Sequence, residues 1–93
     1  MLVGTVVIKL RAAGVASLKE KRMIVKSILG RVQNKFNVSI AEIAKQDTHQ
    51  TIVLGLAFVV ASTAQADSIT DHILTFIEEN AEAEITDVER EIR

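Results

Sequence analysis

Thr51-Ile52-Val53-Leu54-Gly55-Leu56-Ala57-Phe58-Val59-Val60-Ala61 is apolar on both of its alternating faces. Ile52, Leu54, Leu56, Phe58 and Val60 share one side, and Val53, Gly55, Ala57 and Val59 share the other. A strand buried on both faces sits in the middle of a sheet, so this segment predicts a central strand. Ahead of it, Lys45 to Gln50 is a polar turn. Before the turn, Val38 and Ile40 alternate with Ser39 and Ala41, the pattern of a half-exposed strand joined to the first as a hairpin.

Working outward toward the N-terminus, Leu2 to Arg11 shows the same period of two, with Leu2, Gly4, Val6, Ile8 and Leu10 on one parity. Ala12 to Ala16, centred on Gly14, connects this strand to Ser17-Leu18-Lys19-Glu20, a capping box that opens a helix. Leu18, Val25, Leu29, Val32 and Phe36 recur at helical spacing and predict its buried stripe. Beyond the central segment, Ser62 to Asp67 leads into a second helix over about residues 67–80, with Ile69, Ile73, Phe76 and Ile77 inward. Ile85 to Ile92 is a last strand whose charges suit a sheet edge and discourage unwanted pairing. The order βαββαβ predicts one α+β domain over residues 1–93. It is a ferredoxin-like sandwich in which a four-stranded antiparallel sheet carries two helices on one face. Its apolar first and third strands are central and its charged second and fourth are edges; another strand order stays open, because periodicity does not fix topology.

Composition narrows the class of protein. The 93 residues are 48% hydrophobic and 25% charged, with no proline and four glycines, which excludes disordered and fibrous chains. Without cysteine, no disulfide, thiolate nucleophile, iron–sulfur cluster or cysteine zinc site can form. The N-terminus lacks the pattern of an export signal, and Ile52 to Ala61 is half the length of a membrane-spanning helix. A cytoplasmic protein without membrane contact is the expectation. Asn37-Val38-Ser39 matches a glycosylation sequon, which has no meaning outside the secretory route.

Net charge is −1, but it is divided. Residues 1–46 carry nine Lys or Arg against Glu20 and Glu42, a net of +7, and residues 47–93 carry ten Asp or Glu against Arg90 and Arg93, a net of −8. Such asymmetry points to polar association or a basic binding face.

Ser17-Leu18-Lys19-Glu20-Lys21-Arg22, Arg31 to Lys35 followed by Phe36-Asn37-Val38-Ser39-Ile40-Ala41-Glu42, Gln46-Asp47, and the closing Asp87-Val88-Glu89-Arg90-Glu91-Ile92 together resemble the YlxP-like family nearly end to end. That resemblance implies a ferredoxin-like domain of unknown function. Its genes are often found among those for transcription elongation, translation initiation and ribosome maturation, which implies an RNA-linked setting. Where the family often has a tryptophan two residues beyond the Gln-Asp pair, this chain has His49.

The residues that carry a functional reading lie on the first helix. Lys19, Arg22 and Lys26 fall at i, i+3 and i+7, with Gln33 continuing the row, and Lys21, Arg31 and Lys35 add charge further round. Over residues 18–36 six bases stand against one acid. Such a stripe neutralises phosphates with little sequence preference, since Lys and Arg meet the backbone rather than base edges. An ordinary solvated face would read the same way, the last bases complementing the helix dipole. Gly30 lies near the row and leaves room for a phosphate backbone or a partner helix, although simple tolerance of a glycine explains it as well.

Other chemistry finds less support. The loop Ala12 to Ser17 could hold an anion at the helix N-terminus, where acylphosphatases of the same fold hold phosphate, but it lacks the arginine those enzymes need. His49 and His72 stand apart from any ligand set or catalytic triad. Stacking of bases on the sheet has only Phe58 to draw on, since Phe36 and Phe76 belong to helices. The apolar second face of strands one and three suggests self-association through the sheet. The expectation is therefore a non-enzymatic accessory protein without metal or cofactor. It would bind structured RNA or a ribosomal particle through Lys19, Lys21, Arg22, Lys26 and Arg31, and would form a homo-oligomer through its open sheet face. The alternative is a protein-interaction module that binds no nucleic acid.

Overall fold

In a computed structural model all 93 residues are described. The elements run β1 (Leu2–Arg11), α1 (Leu18–Lys35), β2 (Ser39–Ala44), β3 (Thr51–Val60), α2 (Thr63–Asn80) and β4 (Glu84–Ile92). The four strands form one antiparallel sheet in the order β2-β3-β1-β4, with the two apolar strands central. This is the expected ferredoxin-like architecture.

Parity decides which side the helices cover. Val6, Ile8 and Leu10 of β1 and Ile52, Leu54, Leu56, Phe58 and Val60 of β3 are buried, and all project to one face. Val25, Ile28 and Val32 of α1 and Ala66, Ile73 and Ile77 of α2 close over them as one core. At the far end of the β1–β3 ladder Gly4 faces Phe58, whose ring fills the space a side chain would need: a Cβ on Gly4 would stand 2.4 Å from the ring.

Caps set the helix starts. Ser17 accepts from the Glu20 amide at 3.2 Å, one half of the expected capping box; the Glu20 carboxylate makes no return bond to the Ser17 amide. α2 begins four residues earlier than periodicity suggests, because Ser62 caps it and Gln65 reaches back to the amide just before the cap. Ser62 accepts from the Gln65 amide at 3.2 Å, and the Gln65 carboxamide oxygen accepts from the Ala61 amide at 2.8 Å. The hydrophobic repeat alone could not see this first turn, which carries one buried residue, Ala66, at its end.

Each edge strand is irregular. β2 runs on to Ala44, with a shift in register between Glu42 and Ala44, and β4 is shifted against β1 between Lys9 and Leu10. At the second shift the Thr86 hydroxyl donates to the Lys9 carbonyl at 3.3 Å. α1 packs over the β2 side and α2 over β1, β3 and β4. The division of charge along the chain thereby becomes a division in space, with a basic α1–β2 flank and an acidic α2–β4 flank.

Candidate nucleic-acid interface

The exposed side of α1 follows from its buried side, which is turned from the one expected. The buried residues are Lys21, Val25, Ile28 and Val32, while Leu18, Leu29 and Phe36 are half-buried on the shoulder. This corrects the placement of Lys21. It is 1% exposed and cannot meet a phosphate from solution. Its ammonium lies 3.1 Å from the Glu42 carboxylate and donates to the Lys45 carbonyl. Lys45 has a φ of 59°, a left-handed conformation that aims its carbonyl inward, where the Thr48 amide also donates to it at 3.0 Å. Spacing held the signal: Lys21 stands four residues before Val25 and seven before Ile28, and Glu42 shares the inward parity of Ile40 on β2.

Arg31 also leaves the row. It is exposed, but on the α2 side, where its guanidinium donates to the Asn80 carbonyl at 3.2 Å and complements the C-terminal end of α2. Lys35 lies on that side too, 4.9 Å from the centre of the Phe76 ring, which itself meets Phe36 edge-on.

Lys19, Arg22 and Lys26 are brought together as the spacing predicts, all exposed on the β2 side of α1. None of them is in an ion pair; those of the molecule engage Lys21, Arg90 and Arg93. Arg22, Lys26 and Gln33 border an open cleft of about 430 Å³, floored by Val25 and Leu29 and ending at Glu42. Gly30 also lines it, and a Cβ there would meet nothing within 4 Å. Because Lys21 already compensates the Glu42 carboxylate, that acid does little to offset the two cations at the rim.

The remaining candidates are dispersed. In the Ala12–Ser17 loop the Val15 amide donates to Ala12 and the Gln50 side chain donates to the Val15 carbonyl, so the loop is tied to the β2–β3 hairpin. Ser17 occupies the helix N-terminus as its cap. His49 and His72 are exposed, one in the hairpin turn and one on α2, and no three His, Asp or Glu side chains converge. Phe58 points into the core, leaving no aromatic ring on the open face of the sheet. No helix is long and apolar enough to cross a membrane.

Comparison with known proteins bears on family and fold. The family described as "Protein of unknown function (DUF503)" matches residues 3–90. The uncharacterized protein YlxP of Bacillus subtilis is 51% identical over 70 residues, which cover 75% of this chain and 76% of that protein. Among solved structures, a de novo designed protein with a ferredoxin fold superposes with a TM-score of 0.63 at 24% identity, covering 100% of this chain and 86% of the other. That likeness concerns the fold alone.

Proposed function

The chain belongs to the DUF503 family of proteins of unknown function, and from the chemistry of its surface we propose that it is a non-enzymatic accessory protein that binds structured RNA. The observation that carries this reading is the row of three cations, Lys19, Arg22 and Lys26, exposed on one side of α1 without acidic partners. Unpaired surface cations on a rigid helix can exchange their counterions for phosphates at no internal cost. The cleft beside Gly30 adds room for a strand of sugar-phosphate backbone to approach between α1 and β2. Two of the five cations expected to act, Lys21 and Arg31, have structural duties, and the binding row is correspondingly shorter.

The mode of binding is recognition of shape and charge. With no aromatic ring on the open sheet face, base stacking of the kind that reads single strands has no platform there. Contacts from Lys and Arg fix position on a phosphate backbone without reading sequence. A ribosomal particle or a folded RNA, whose phosphates are clustered, suits such a row better than an extended strand. The gene setting implied by the family resemblance agrees with this.

Titration of a fluorescent structured RNA with the full chain over a series of salt concentrations tests the proposal. Three phosphate contacts predict that log K falls against log salt with a slope of about −2 to −3. Lys19→Glu, Arg22→Glu and Lys26→Glu combined should abolish binding while leaving the circular dichroism spectrum intact. Affinity that ignores salt, or that survives the triple change, overturns it.

A further inference from the structure

The face of the sheet turned from the helices is largely apolar across its centre. Val3 and Val7 of β1 and Gly55, Ala57 and Val59 of β3 project away from the helices, with Thr5 between the two valines; Val59 is 65% exposed, the others are half-buried, and Val53 on the same face is already buried. From β2, Ile43 joins them, 50% exposed, with its side chain lying over Gly55. Around this apolar stripe the same face is charged. Glu84, Asp87, Glu89 and Glu91 of β4 form one border, and Lys9 and Arg11 lie at one end of β1. An apolar centre inside a charged border is the anatomy of a protein interface.

We infer that this face is where two copies of the chain pack sheet to sheet. Two observations name the occupant. The first is area. Strands of ten, six, ten and nine residues present roughly 550 Å², so a face-to-face pair buries about 1,100 Å², just above the roughly 1,000 Å² that a specific interface should clear. The second is self-complementarity. With a two-fold axis parallel to the strands, β1 of one copy lies over β3 of the other, so Val7 meets the small residues Gly55 and Ala57. The same operation carries each acidic β4 border over the other copy's β2, which bears only Ser39, Ala41 and Ile43 on this face. A two-fold across the strands would instead stack four acids on four acids, and is excluded by charge.

The sheet edges offer no competing route. β2 carries an inward-pointing glutamate and a bulge, and β4 carries a bulge and a row of acids, which are devices that prevent edge pairing. Burial of small and β-branched side chains without ion pairs makes the dimer insensitive to salt, unlike RNA binding on the opposite side of the molecule.

Sedimentation equilibrium of the full chain without RNA, across the micromolar range, tests this. Wild type should approach twice the 10.2 kDa chain mass at both low and high salt. Ala57→Glu with Val59→Glu should sediment as a single chain, its dimer weakened by about a hundredfold or more. Circular dichroism reports its fold, and Val59 is exposed enough to accept the change. Arg22→Glu with Lys26→Glu should stay dimeric even if RNA binding is lost, which separates this inference from the RNA reading. A wild type that is monomeric throughout overturns it, as does a dimer that survives the sheet-face pair or dissociates with the α1 pair.

Discussion

Lys21 of α1 and Glu42 of β2 form an ion pair across the core boundary, 3.1 Å apart, with the lysine side chain 1% exposed and the glutamate 18%. It joins the basic helix to the edge strand beneath it. The Lys45 carbonyl, accepting from the same ammonium, carries the tie into the β2–β3 turn.

Removing one partner of such a pair leaves the other charge buried and alone. Lys21→Ala should cost about 3 kcal/mol, read as a fall in the urea midpoint. Lys21→Met with Glu42→Leu should recover most of that loss. The double variant also strips β2 of its inward-pointing charge, so light scattering should show it aggregating more readily than wild type. If Lys21→Ala unfolds at the wild-type midpoint, the tie contributes nothing.

Gly4 is held to its residue type by Phe58 rather than by backbone conformation. Gly4→Ala forces the ring aside and should destabilise by about 2 kcal/mol, a drop of roughly 10 °C in the thermal midpoint for a domain of this size. Trimming the ring in Gly4→Ala with Phe58→Leu should return part of it. Equal melting of Gly4→Ala and wild type would mean the ring moves freely.

Gly30 is the opposite case, an interior helical glycine with open space beside it. Gly30→Ala should stabilise the chain by about 1 kcal/mol through helix propensity. The same methyl narrows the cleft bordered by Arg22 and Lys26, so RNA affinity should fall several-fold as the melting temperature rises. A variant that gains both stability and affinity would take Gly30 out of the interface.

Arg31 should separate structure from binding. Arg31→Ala frees the Asn80 carbonyl and should cost about 0.5–1 kcal/mol, with RNA affinity changed far less than by Arg22→Ala. A larger affinity loss at Arg31 would move the interface round to the α2 side.

How legible these features were depends on the kind of signal each leaves. The architecture could be read because β3 is apolar on both parities and β1 alternates, which selects the central strands without coordinates. The helix boundaries are legible where a cap signal is strong: Ser17-x-x-Glu20 marks the start of α1, whereas Ser62-x-x-Gln65 precedes a first turn with a single buried residue, so the hydrophobic repeat alone starts α2 too late. The α1 core stripe is rotated from the hydrophobic repeat because a lysine holds one of its positions, and such a repeat assigns no weight to a charged side chain with a buried partner. That partner, Glu42, lies on another element, so its contact with Lys21 becomes visible only once β2 and α1 are side by side. Lys19, Arg22 and Lys26 needed nothing but helical spacing, and they stand where it put them.

The separation of charge between the α1–β2 and α2–β4 flanks governs how the molecule would meet a polyanion. With a net charge of −1, it feels almost no pull as a whole from a distant phosphate surface. What acts on a single chain is a torque, turning the basic flank inward and the acidic flank out, and in a sheet-to-sheet pair the two-fold axis sets the two flanks against each other and cancels it. Encounter would then be unsteered until the molecule is within about a Debye length, roughly 8 Å at physiological salt, and only one orientation is rewarded. A single chain that lands this way keeps α2 pointing off the RNA, a negatively charged outer surface that repels further polyanions.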